Sequence, residues 1–118
     1  MFTIDKDNAI TLTRGDSMQS EVVILTIDGD EYVPQEGDSI RFALKANRMT
    51  VNKGAFINPE PLIEKSISTN DLILRLVPED TKDLPFGKYV YDVELTFADG
   101  YVDTFINCAP FDLKPEVD

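Results

Sequence analysis

"KYVYDVELTF" runs from Lys88 to Phe97 and leads into Ala98-Asp99-Gly100-Tyr101. Tyr89, Tyr91, Val93, Leu95 and Phe97 alternate with Lys88, Val90, Asp92, Glu94 and Thr96. A period of two places the larger apolar set on one side of an extended chain, so the stretch predicts a half-buried β-strand and not a helix. Asp99-Gly100 then supplies two residues that tolerate positive φ, the composition of a two-residue hairpin loop. Such a loop pairs Phe97 with Val102, Leu95 with Thr104, Val93 with Ile106 and Tyr91 with Cys108. Paired residues share a face. Val102, Thr104, Ile106 and Cys108 are therefore expected in the core, Cys108 as a small buried hydrophobe and not a reactive thiol. Tyr101 and Phe105 are left on the outer face.

The same periodicity extends along the chain. "SIRFALK" sets Ile40, Phe42 and Leu44 on one side, and "DLILRLV" does so with Leu72, Leu74 and Leu76. "SEVVILTI" is apolar on both faces and reads as a central strand; "AITLT" and "PLIEKSIS" suit edges. Turn compositions separate them, at Asp28-Gly29, Glu36-Gly37-Asp38 and Ser68-Thr69-Asn70. "PEDTKDLP" is the one helix candidate. Pro78 suits a first helical position and Pro85 a stop, so a single turn is expected. About seven short strands at sandwich spacing predict an all-β fold, one antiparallel β-sandwich domain over residues 1–118. Tyr89, beside Gly87, is expected at the tyrosine corner, its hydroxyl bonding backbone near the "PEDTKDLP" turn.

Composition bounds function by exclusion. The chain has 118 residues, 22 of them acidic and 11 basic, for a formal charge of −11. That field repels phosphate backbones, so nucleic acid is not an expected partner. There is no histidine and Cys108 is the only cysteine, which removes the commonest general base, the usual zinc ligands and any intrachain disulfide. No Ser or Cys nucleophile stands beside a base, and no glycine-rich phosphate loop is present. Neither an enzyme nor a cofactor is expected. "MFTIDKDN" has no basic end or apolar run, so neither a signal peptide nor membrane association is expected, and the chain is read as made in a cytoplasm.

Three motifs invite a sharper reading. Asp5, Asp7 and Asn8 begin like a calcium loop but lack its sixth-position glycine and final glutamate, and read as a polar turn. Arg14-Gly15-Asp16 is the tripeptide that integrins recognise. It also lies where "AITLT" must reverse into "SEVVILTI", where Gly15 supplies a turn conformation, so it is read as a structural turn, as are Asp99 and Gly100. Finally, "ANRMTVNKGAFINPEP" (46–61) is too long for an idle connection. It carries Arg48 and Lys53 together with Met49, Val51, Phe56 and Ile57. These six residues, with Tyr101 and Phe105, form the candidate protein interface; the alternative is a segment that folds back as an extra edge strand.

"ITLTRGDSMQSEVVILTIDGDEYVPQEGDSIRFALK" (10–45) and "LPFGKYVYDVELTFADGYVDTF" (84–105) resemble small immunoglobulin-like proteins of tailed bacteriophages of Gram-positive hosts. They are similar in particular to the N-terminal domain of the phage baseplate upper protein family. The likeness rests on Arg14 to Ser17 after the first strand, on Gly37 to Phe42, on Gly87 to Val93 and on Thr96 to Gly100. It implies an immunoglobulin-like sandwich and a structural role in a virion, in tail, baseplate or capsid decoration, among other virion proteins or further copies of itself. A rival reading is a host-surface adhesion or carbohydrate-binding module, with Tyr101 and Phe105 stacking on sugars.

Overall fold

A computed structural model describes residues 2–4, 8–24, 28–46, 50–52, 55–57 and 61–115. In chain order the elements are β1 (Phe2–Ile4), β2 (Ile10–Thr13), β3 (Met18–Glu21), β4 (Ser39–Lys45), β5 (Thr50–Asn52), β6 (Ala55–Ile57), β7 (Pro61–Ile67), β8 (Ile73–Leu76), α1 (Pro78–Thr81), β9 (Gly87–Thr96) and β10 (Val102–Lys114). The protein is an all-β sandwich, with one helical turn among the described residues. A six-stranded sheet has the order β1-β2-β10-β9-β4-β7, β3 and β8 pair as a second layer, and β5 and β6 form a separate two-stranded sheet.

The connectivity is immunoglobulin-like. The sheet β10-β9-β4, extended by β7, has the order of strands G, F, C and C′, and β3-β8 corresponds to the B–E pair of the facing sheet. β2 joins β10 in parallel, with Ile10 beside Phe111 and Leu12 beside Leu113. Tyr89 closes the tyrosine corner, its hydroxyl donating to the Pro85 carbonyl at 2.6 Å. Two residues on, where antibody domains place a disulfide cysteine, stands Tyr91. Its ring lies 5.4 Å from Phe42 and 6.4 Å, edge-on, from Phe111. An aromatic column thus fills the centre of the core.

The core holds Tyr91, Val93 and Leu95 with Ile40, Phe42, Leu44, Leu74 and Leu76, as the alternation predicts; Phe97 and Leu72 are half-buried at its margin. Pro78 opens α1, and Asp80 Oδ2 accepts from the Val77 N–H at 2.8 Å.

Four expectations are corrected. The β9–β10 loop has three residues, not two: Phe97 N–H donates to Tyr101 O at 2.8 Å, Gly100 N–H donates to Phe97 O at 2.9 Å, and Gly100 has φ 93°. This is a turn with a left-handed residue at its end, the three-residue hairpin solution. It pairs Leu95 with Asp103, so Val102 and Thr104 are exposed. Two register shifts follow, between Thr104 and Ile106 and between Ile106 and Ala109, and Ala109 takes the place opposite Tyr91 that was expected of Cys108. Cys108 is half-buried at φ 52°, and its N–H donates to Asp92 Oδ1 at 2.6 Å. The bulge removes that donor from the ladder and a carboxylate takes it up.

The second correction concerns Phe105, which the three-residue loop turns inward to pack, half-buried, against the core instead of facing water. The third is β3. The run expected as a central strand from Ser20 is strand only at Ser20 and Glu21 among its described residues: β3 ends there and is half of a two-stranded layer, with Met18 buried within it, Val22 and Ile24 buried beyond its end, and Val23 exposed. Conversely β2, expected at an edge, lies between β1 and β10.

Candidate interaction surface

Antiparallel register fixes which loops share an end of the sandwich. Lys45 pairs with Val90, Gly87 with Leu113, and Arg14 N–H donates to Lys114 O at 3.0 Å. The Arg14 turn, α1 and the β4–β7 connection therefore gather at one end. Ser39 pairs with Thr96, so the Asp99-Gly100 loop lies at the other.

At the first end, Thr13 to Asp16 form a β-turn closed by Asp16 N–H donating to Thr13 O at 3.1 Å, with Gly15 at φ 86°. Positive φ at the third position is the glycine-requiring pattern. The turn is fastened to the α1 corner. Gly15 N–H donates to Oγ1 of the wholly buried Thr81 at 3.1 Å, and Arg14 Nη1 donates to Leu84 O at 3.2 Å. The Arg14 guanidinium lies 4.0 Å from the centroid of the Phe86 ring, a cation–π contact. The arginine that integrin recognition needs is thus committed within the fold. Thr81 carried no sequence signal: a lone threonine in a short turn reads as solvent-facing.

From the same end, β5 and β6 form a hairpin. Val51 pairs with Phe56, Thr50 with Ile57 and Asn52 with Ala55. Lys45 pairs directly with Pro61, so the hairpin is grafted on the closed end of the β4–β7 ribbon and does not extend the six-stranded sheet. Of the candidate residues, Arg48, Met49 and Lys53 lie outside the described residues; Val51, Phe56 and Ile57 are placed by backbone register.

Tyr101 and Phe105 do not join that hairpin. Tyr101 is 66% exposed and sits beside Phe97, with ring centroids 5.8 Å apart. From Val90 to Phe97 along β9 is roughly 23 Å at strand rise, so the hairpin and Tyr101 belong to opposite ends. With Phe105 turned inward, Tyr101 has no neighbouring exposed ring among the described residues.

A polar lock holds the Tyr101 end. Asp38 Oδ2 accepts from the Tyr32 hydroxyl at 2.6 Å and from Gln35 N–H at 2.8 Å, and Oδ1 accepts from Ala98 N–H at 3.1 Å. Foremost the Tyr32 hydroxyl, then the Gln35 amide, hold this carboxyl below its usual range; the same bond, aided by desolvation, raises the Tyr32 phenol. Among the described residues no three His, Cys, Asp or Glu are placed to hold a metal ion. Compared with known proteins, the chain matches no family model, no curated protein and no solved structure.

Proposed function

We propose that this chain is a non-enzymatic structural module of a tailed-bacteriophage particle, an immunoglobulin-like sandwich that docks on tail, baseplate or capsid through its β5–β6 hairpin. The observation that carries the reading is the hairpin itself. It is a two-stranded arm outside both layers of the sandwich, in a segment holding Arg48 and Lys53 within a chain of charge −11. Met49, Val51, Phe56 and Ile57 would each contribute about 1.5–3 kcal/mol if buried on a partner, before ordering costs. The resemblance of residues 10–45 and 84–105 to phage immunoglobulin-like proteins supplies the particle. The solitary exposed Tyr101 offers little to the rival carbohydrate-binding reading, which calls for a platform of rings.

Particles purified by density gradient from cells expressing a tagged copy should contain the protein in fixed ratio to the major capsid protein. Cross-links from Lys53 should reach another virion protein or a second copy. A protein absent from such particles, or links confined to its own chain together with unchanged incorporation of Phe56→Ser, would sink the reading.

A further inference from the structure

The two edges of the β3–β8 layer are treated differently. Met18 pairs with Leu76 and Ser20 with Leu74, and Val22 N–H donates to Leu72 O at 2.7 Å. In an antiparallel ladder the hydrogen-bonded residues alternate. Met18, Ser20 and Val22 therefore direct their backbone groups at β8, and Gln19, Glu21 and Val23 direct theirs away. On β8 the outward residues are Ile73, Arg75 and Val77. Ile73 N–H donates to Asp71 Oδ1 at 3.1 Å and Val77 N–H to Asp80 Oδ2 at 2.8 Å, while Asp71 also binds the Arg75 guanidinium at 3.0 Å. Carboxylates thus occupy that edge, a standard protection against stray pairing.

On the β3 edge no carboxylate is bonded to an outward N–H among the described residues; the one described side-chain contact is the Ser20 hydroxyl donating to the Glu21 carbonyl at 3.5 Å. No described strand lies beside this edge, and no described acceptor takes the N–H groups of Gln19, Glu21 and Val23. Beneath it is an apolar cleft of about 180 Å³, whose lining includes Ile4, Ile10, Met18, Val22, Val23 and Ile106. Ile4 is 42% and Val23 50% exposed. The cleft is smaller than the roughly 300 Å³ at which small-molecule sites begin, and suits aliphatic side chains. In the immunoglobulin sandwich strand A pairs with this edge, whereas here β1 and β2 both belong to the other sheet.

We propose that the β3 edge is a strand-acceptor site. It takes an extended segment of a partner protein that pairs with Gln19 to Val23, sends alternate aliphatic side chains into the cleft and carries lysine or arginine between them. Backbone pairing supplies affinity and the cleft supplies selectivity, the mode of β-strand addition. The basic residues follow from Glu21 on the edge and from an acidic excess of 22 to 11. A second copy of β3 is a poor occupant, because self-pairing would bring Glu21 near its own counterpart. The acceptor edge stands whether or not the chain belongs to a phage particle.

The test is a titration of isotope-labelled protein with a blocked heptapeptide of alternating lysine and valine, read by amide shifts and hydrogen exchange. Slowed exchange is expected at Gln19, Glu21 and Val23. Glu21→Pro deletes an outward N–H without touching the ladder to β8 and should weaken binding at least tenfold. Glu21→Lys keeps the edge intact; it should weaken the lysine peptide several-fold and favour a glutamate–valine peptide. The proposal is overturned by absent protection at these amides, by protection on β1 or β7 instead, or by equal binding to both variants. Concentration-dependent protection without peptide, lost in Glu21→Pro, would give the edge to a second copy and equally overturn it.

Discussion

Cys108 sits in the left-handed region at φ 52°, within the second register shift of β10, between Ile106 and Ala109. A non-glycine residue there costs about 1–3 kcal/mol, most for a β-branched side chain. Cys108→Val is therefore expected to destabilise by about 1–3 kcal/mol, and Cys108→Gly to be close to neutral, in chemical denaturation. A cysteine packed in a regular ladder would give the reverse order. Tyr32 and Asp38 make a second residue-scale case. The Asp38 carboxyl is depressed, so its contribution is complete above the ordinary carboxylate pKa and is lost as pH falls through its lower folded value, below about pH 4. The Tyr32 phenol is raised, so its contribution is complete below about pH 10 and is lost as pH rises through its folded value. Tyr32→Phe should move the Asp38 carboxyl titration, followed by NMR, up toward about 4, shift acid unfolding to higher pH, and reduce the alkaline loss to the share that the raised Tyr89 phenol contributes. These residues were poorly legible in sequence. Loop length between Phe97 and Tyr101 turns on one left-handed glycine, and a one-residue slip reverses every face as far as the shift after Thr104, beyond which Ile106 meets Val93 as expected. That slip moves Val102 to the outer face and Phe105 to the inner one.

Elements were more legible where two independent signals agreed. β4 and β9 carry strict alternation, and α1 carries a proline at its first position; all three form as expected. β3 itself reads Met-Gln-Ser-Glu, and the apolar run of "SEVVILTI" begins only at Val22, past its end; such a run fits a central strand and an isolated edge equally well. Position in a layer is decided by which strands the rest of the chain provides, and "SEVVILTI" holds no record of that. The β5–β6 segment was marked by length and by unplaced apolar residues, not by its pairing. Since Lys45 and Pro61 are already partners, the ribbon should close without the arm. Replacement of residues 46–60 by Asn-Gly, a favoured hairpin turn, is expected to keep amide protection in β4, β7 and β9 and to change Tm by only a few degrees. Particle incorporation should be lost. A collapse of protection in β4 would show the hairpin to be part of the fold and not a graft.

At the scale of the whole molecule, β10 closes the structure. Its second half pairs with the start of β9 on one side and with β2 on the other, and it buries Ala109, Phe111 and Leu113. Arg14 N–H, bonded to Lys114 O, continues that closure into the turn that Thr81 and Leu84 hold from α1. β2 and β10, distant in sequence, thus meet in one core. Phe111→Ala should cost about 3–5 kcal/mol and Leu113→Ala about 2–5 kcal/mol. The sum is comparable with the whole stability of a typical domain, about 5–15 kcal/mol. The double variant, or a chain ending at Cys108, is expected to lose cooperative thermal unfolding and near-ultraviolet circular dichroism, whereas the hairpin replacement keeps both. A cooperative transition in the chain ending at Cys108 would mean that β9 and β4 with β7 form a self-sufficient unit. The parallel β2–β10 pairing would then be an addition to the fold and not its closure.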